Sequence, residues 1–271
     1  MSRQRLGFWY EFAVAVLKPV MLVLSKRDWP VGHQWPAGGI VVAPNHISHV
    51  DPFVVGHYLY NERRPARFLA KASLFSTFFV GRVLRGADQI AVHRETRDAS
   101  VALRDAVAAV RSGECVVVYP EGTLTRDPDL WPMVGKTGAA RIAFASGCPV
   151  VPLAMWGPQA MLMPYSRRPR LIPRATMQIR VGAPVGLADL LPPGADPTAV
   201  TGDVLRLATD RIMDAITALV SELRGEPAPA SRLDPRAAGL PTTGDPRIRY
   251  EQPQHPPRRR LDHDQDNEGA R

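Results

Sequence analysis

A chain of 271 residues, 45% of them apolar, is long enough for one large α/β domain with a full core or two small ones. Its formal net charge of +8 points to an anionic partner: a membrane surface, a phosphorylated metabolite or nucleic acid. Only two cysteines are present, Cys115 and Cys148, both in apolar surroundings, which argues for reduced thiols and against a disulfide or zinc site.

Along the chain, the first apolar stretch is FWYEFAVAVLKPVMLVLSKR, interrupted by Glu11, Lys18 and Pro19. It falls short of the ~18–20 unbroken apolar residues of a spanning helix, and no small-x-small cleavage site marks it as a secretory signal. Trp9 and Tyr10, with Arg3, Arg5, Lys18, Lys26 and Arg27 around the stretch, suit a helix lying in a membrane interface, with core packing as the alternative. Pro19 is expected to kink or divide it. Residues 1–30 are accordingly read as an N-terminal interfacial segment.

Strands and helices then alternate. Gly39 to Pro44 reads as a buried strand and Asp51 to Leu59 as a helix. Asp88 to His93 is the next strand, after the apolar run LFSTFFVGRVL. Thr96 or Asp98 can cap a helix to about Arg111. Gly113 closes it before the strand CVVVYP. A short helix from Thr137 to Ser146 ends at Gly147. The strands PVVPLAMWG and TMQIRVG follow, then a long helix from about Thr198 to Leu223. This order predicts one α/β domain over residues 31–225, with a mostly parallel sheet covered by helices. From Glu226 to Arg271 eight Arg balance eight acidic residues, and eight of the 27 prolines fall there. So few aliphatic residues cannot offset the entropy of ordering, so residues 226–271 are predicted to be a disordered tail.

Three strands end in polar motifs, and in a parallel sheet their carboxyl ends share one edge. The first strand runs into PNHISHVD, where His46 can accept a proton and Asp51, five residues on, can hold its other ring nitrogen. His49 is a weaker rival for the base. Ser48 could be a hydrolase nucleophile, but no G-x-S-x-G surrounds it, and a loop-fixing hydroxyl fits better. Arg94 follows the second strand; Gly122, Thr123 and Arg126 follow the third. Together they form a candidate phosphate cradle of backbone amides, hydroxyl and guanidinium. Glu121 would repel phosphate and is expected to orient a basic residue or a substrate hydroxyl. Lys71 and Lys136 are further candidates for the anion. Neither a P-loop nor a dinucleotide fingerprint is present.

Asn45-His46-x-Ser48-x-x-Asp51 resembles the first block of the glycerolipid acyltransferases, the 1-acyl-glycerol-3-phosphate (lysophosphatidate) acyltransferases and their relatives. Gly86-x-x-x-Ile90-x-Val92-x-Arg94 is similar to their second block, Tyr119-Pro120-Glu121-Gly122-Thr123 to the third and Val151-Pro152-Leu153 to the fourth. Lys136-x-Gly138 matches a Lys-x-Gly common in the family. One departure stands out: Leu124 follows Thr123 where the family has arginine, and the nearest arginine is Arg126.

The resemblance implies direct acyl transfer from acyl-CoA or acyl carrier protein to a lysophospholipid hydroxyl, most directly lysophosphatidate to phosphatidic acid. No cofactor, metal or nucleic acid is implied. His46 and Asp51 would be catalytic. Asn45, Ser48, Lys71, Arg94, Glu121, Gly122, Thr123, Arg126 and Lys136 would surround the substrate. It also implies a peripheral or monotopic protein on the cytoplasmic face of the cell membrane. Another lyso-lipid acceptor, a membrane-associated esterase using Ser48, and a non-catalytic lipid-binding scaffold remain alternatives.

Overall fold

The computed structural model describes residues 6–92, 99–191, 194, 196, 199–241 and 244. Helix α1 (Phe8–Leu24) leads into strand β1 (Ser25–Asp28), followed by β2 (Ile40–Pro44), α2 (Asp51–Asn61), β3 (Ala66–Lys71), α3 (Ala72–Phe75), α4 (Phe78–Gly86) and β4 (Ile90–Val92). Then come α5 (Ala99–Arg111), β5 (Cys115–Val117), α6 (Gly138–Ser146), β6 (Val150–Trp156), α7 (Pro158–Met161), β7 (Ala175–Val181) and α8 (Gly202–Arg224).

The strands form one seven-stranded sheet in the order β1-β7-β6-β2-β5-β3-β4. Every neighbouring pair is parallel except β6 with β7, so the mostly parallel sheet expected from the alternation is present. The central strands β2 and β6 are apolar and buried along their whole lengths, as strands covered on both faces must be. From β2 the chain moves through α2 to β3 on one side; from β5 it moves through α6 to β6 on the other. Right-handed crossovers in opposite directions place helices on opposite faces and open a crevice between the carboxyl ends of β2 and β5. That crevice lies where His46 and Glu121 leave their strands.

Several expectations need correction. Pro19 does not divide α1, which continues to Leu24. The N-terminal segment does not stop short of the domain: Ser25–Asp28 joins the sheet by pairing with β7, in register Ser25↔Ala175. β1 is an edge strand with three of its four residues exposed, so it lacks the apolar signature by which strands are read. β3 was hidden for a similar reason, its apolar residues merging with those of α3 and α4. The stretch 226–241 is not a loose tail. Leu233 accepts a hydrogen bond from the Val134 amide, and Arg232 pairs with Asp210 and Asp214 on α8. Ion pairs and backbone hydrogen bonds hold a segment that composition alone assigns to solvent. Residues 245–271 lie outside the described residues.

Gly39 enters β2 directly under the end of α5: a Cβ there would stand 1.8 Å from the Val110 carbonyl oxygen. Gly39→Ala is therefore expected to destabilise the fold by about 2–4 kcal/mol. Urea melts check this; an unchanged midpoint would mean that α5 does not close against the strand as described.

Candidate active site

β2 ends at Pro44, and the next six residues form a tight turn into α2. A single carboxylate oxygen organises it. Asp51 Oδ2 accepts the Ile47 amide at 2.6 Å, the Ser48 amide at 2.9 Å and the His46 ring at Nδ1 at 2.8 Å. Asp51 is fully buried, and it stands in the first turn of α2, where a negative charge meets the positive end of the helix dipole. Burial pushes its carboxyl above the ordinary value, opposed by His46 and the two amides. With Nδ1–H donated to Asp51, the tautomer is set so that His46 Nε2 carries the free lone pair. The imidazole is 17% exposed and lies on the Tyr119 ring, centroids 4.1 Å apart and planes 25° from parallel.

Glu121, on the loop after β5, reaches across the crevice. Its Oε1 accepts the His46 backbone amide at 2.9 Å and its Oε2 accepts the Met133 amide at 3.1 Å. The Thr125 amide donates to the His46 carbonyl at 2.7 Å. The residue carrying the imidazole is thus held at both its N–H and C=O by the β5 loop. Glu121 thus orients a basic residue, His46, as expected, but through the backbone amide, and both its oxygens are taken by backbone amides rather than by a substrate hydroxyl. Burial raises its pKa to about 8.

Asn45 and Ser48 also serve the frame. Asn45 Nδ2 donates to the Met155 carbonyl at 3.1 Å and its Oδ1 accepts the Met155 amide at 2.8 Å, joining β2 to β6. Its amide is fully buried and engaged, so it does not face substrate. Ser48 Oγ donates to the Leu162 carbonyl at 2.7 Å and accepts the Val50 amide at 3.1 Å. A fully buried hydroxyl so engaged, beside an imidazole bound elsewhere, contradicts the esterase reading and supports the loop-fixing one. His49 is exposed.

The anion candidates divide. Gly122 has φ +68°, and the Lys136 side chain packs where its Cβ would be, so glycine lets lysine lie along the loop. Thr123 Oγ1 is 3.2 Å from the Tyr165 hydroxyl, which donates to the Leu124 carbonyl at 2.9 Å. Leu124 is buried, so the position next to Thr123 points into the core and could not hold an arginine unchanged. Arg126 is fully buried, its guanidinium 5.5 Å over the Tyr165 ring. Arg126 Nη2 donates to the Gly244 carbonyl at 3.3 Å, whereas Nε and Nη1 have no partner among the described residues. Lys71 is exposed at the end of β3. Arg94 lies outside the described residues. Tyr119 and Tyr165 were not identified from sequence as site residues. Tyr119 could have been found from its place just before Pro120-Glu121, but nothing local marks Tyr165.

Residues 30–156 match the family model described as Acyltransferase. The chain is 31% identical over 118 residues to a 1-acyl-sn-glycerol-3-phosphate acyltransferase of Borreliella burgdorferi, covering 43% of this chain and 45% of that one. It is 29% identical over 118 residues to a chloroplastic 1-acyl-sn-glycerol-3-phosphate acyltransferase of Brassica napus, covering 43% and 33%. The matched segment thus spans less than half the length of either relative. The fold resembles the crystal structure of the 1-acyl-sn-glycerophosphate acyltransferase PlsC from Thermotoga maritima, with a TM-score of 0.57, 20% identity and 81% of each chain covered.

Glu121 also predicts a pH effect on stability. Its pKa in the fold is about 8 against an ordinary 4.5, so the folded state keeps a proton that the unfolded chain releases. The stability from this group is full at low pH and is lost as pH rises through that window. Glu121→Gln removes the titrating group and stays uncharged at every pH, though its NH2 loses one of the two amide contacts. Melting curves from pH 5 to 9 are expected to show wild type losing more stability than the variant as pH rises. Parallel profiles would mean that Glu121 is ionised throughout.

Proposed function

We propose, from the match of residues 30–156 to the family model described as Acyltransferase, that this chain transfers a fatty acyl group to the free hydroxyl of a lysophospholipid. The acceptor favoured here is 1-acyl-glycerol-3-phosphate, giving phosphatidic acid for phospholipid synthesis. The donor is a thioester, acyl-CoA or acyl carrier protein, and the step needs no cofactor. The observation that carries this reading is the 2.8 Å contact of His46 Nδ1 with Asp51 Oδ2, which leaves Nε2 as a base.

In the proposed step, Nε2 takes the hydroxyl proton as the oxygen attacks the thioester carbonyl carbon. The resulting imidazolium is stabilised by Asp51 and by the electron-rich face of Tyr119. Collapse of the tetrahedral intermediate breaks the C–S bond, and His46 returns the proton to the departing sulfur. Arg126 supports an anionic acceptor. A buried guanidinium with two nitrogens unpartnered among the described residues is costly, and a phosphate would offset that cost. Thr123 and Arg126 both meet Tyr165, and Lys136 packs on Gly122 of the same loop; Lys71 and Arg94 are further cations of the same proposal.

We also place α1 along a bilayer interface on the cytoplasmic face of the cell membrane. Its exposed residues include Phe8, Val16, Val20 and Val23, with Lys26 and Arg27 just beyond. No helix among the described residues is long and apolar enough to cross a membrane.

The test is release of free CoA from acyl-CoA with lysophosphatidate, glycerol-3-phosphate or an uncharged lyso-lipid as acceptor. Turnover is expected with lysophosphatidate and is expected to fall about 10³-fold or more in His46→Ala. Asp51→Asn, which presents an amide to Nδ1 and favours the wrong tautomer, should lower kcat by about 10²–10⁴-fold. Activity surviving His46→Ala would reject the mechanism; activity only with the uncharged acceptor would reject the substrate. Tyr119→Phe should retain kcat, whereas Tyr119→Leu should lower it about tenfold with little change in KM. Equal kcat in the two would remove the stack from the mechanism.

A further inference from the structure

α1 is not the only element that exposes apolar side chains. Phe78 is 85% exposed, and Leu74, Phe79 and Val80 beside it are exposed as well. On a separate part of the chain, Ile172 is 91% exposed next to an exposed Leu171. Isolated exposed apolar residues are ordinary, but these have a common location. α3 and α4 begin where β3 ends. The segment 157–174 leads from the end of β6 to the start of β7, which is antiparallel to it. Both therefore stand at the carboxyl edge of the parallel strands, the edge that carries His46. α1 arrives at the same edge, because it runs into Ser25, which pairs with Ala175 at the start of β7.

α1 also connects the two groups physically. Near its beginning, Phe12 meets Phe79 edge-on, at 6.2 Å between centroids. At its end, Arg174 Nη2 donates to the carbonyls of Leu22 and Ser25, at 2.5 and 2.6 Å.

The charges are one-sided. Residues 71–86 contain Lys71, Arg82 and Arg85 and no acid; residues 157–174 contain Arg167, Arg168, Arg170 and Arg174 and no acid. Arg82 lies over the Phe78 ring, with its guanidinium carbon 5.6 Å from the centroid. Exposed rings and aliphatic tips flanked by cations and no acid are the chemistry of an anionic lipid surface, which takes apolar groups below its head groups and cations among them.

We propose that the α3–α4 segment and the 166–174 loop dock on an anionic bilayer together with α1, so that the His46 edge of the sheet faces the membrane. The proposal rests on the lipid-acceptor reading for its purpose, but docking is measurable without turnover. A lyso-lipid acceptor and its diacyl product would then pass between bilayer and catalytic edge without crossing water.

The test uses the full chain and sedimentation with vesicles of phosphatidylcholine containing roughly one-third phosphatidylglycerol. Phe78→Ser and Ile172→Ser are each expected to weaken binding about tenfold or more, the scale of withholding one large side chain from the bilayer. The double variant should weaken it further, with unchanged melting temperature. Arg167→Gln with Arg168→Gln should weaken binding to anionic vesicles more than to pure phosphatidylcholine. Activity on a water-soluble short-chain lysophosphatidate should stay within about twofold of wild type in every variant, while activity on vesicle-borne acceptor falls with binding.

Wild-type binding by Phe78→Ser and Ile172→Ser, with loss only in Val20→Asp, would confine docking to α1 and overturn the proposal. So would a protein dimer broken by Phe78→Ser with no vesicle binding, since a second copy would then cover the surface. Loss of binding as expected in a protein that releases no CoA with any acceptor would uphold the docking surface and reject the acyltransferase reading instead.

Discussion

One carboxylate oxygen carries the arrangement around His46. Asp51 Oδ2 gathers the amides of Ile47 and Ser48 together with the imidazole Nδ1. Hydrogen bonds to an ionised acceptor contribute about 1.5–3 kcal/mol each, and these three share one acceptor that is itself fully buried. The same contacts shape the turn after β2, start α2 and set the imidazole tautomer. Function and local fold are therefore not separable here: a change that frees the histidine also loosens the turn that carries it.

Around that turn the sheet supplies braces from distant parts of the chain. β2 and β5 are neighbours whose onward connections run to opposite sides, so their carboxyl ends open a crevice. Glu121 spans the crevice to hold the His46 amide, and Asn45 fastens the other side of β2 to Met155 on β6. Each brace places a side-chain acceptor where the strand ladder has ended and a buried amide would otherwise lack a partner. The burial has a cost, visible in the raised pKa of Glu121 and in Asp51 Oδ1 and Arg126 Nε and Nη1, which have no partner among the described residues. Such strain is common where a fold is organised for chemistry rather than for stability alone.

The surplus positive charge acquires a direction from the same topology. Segments that leave the carboxyl ends of β3 and β6 bring their arginines to the edge that holds the imidazole. Exposed apolar residues arrive there with them. A chain whose whole-sequence charge says only that its partner is anionic becomes, once folded, a protein with one cationic and partly apolar edge.

What the sequence determined by itself was what depends on short range: the alternation of strands and helices, the parallel sheet, and the pairing of His46 with Asp51. Those signals survive because apolar periodicity and a five-residue turn are local properties of the chain. β1 and β3 were not legible: one is a polar edge strand, and the other merges with the apolar helices that follow it. Nor were the true partners of Asn45, Ser48 and Glu121, or the anchoring of residues 226–241. Met155 is 110 positions from Asn45 and Leu162 is 114 from Ser48. A polar side chain looks the same in sequence whether it binds a substrate or a distant backbone amide. Only the tertiary structure decides which, because the competing partner is brought within hydrogen-bond reach by strands far apart along the chain.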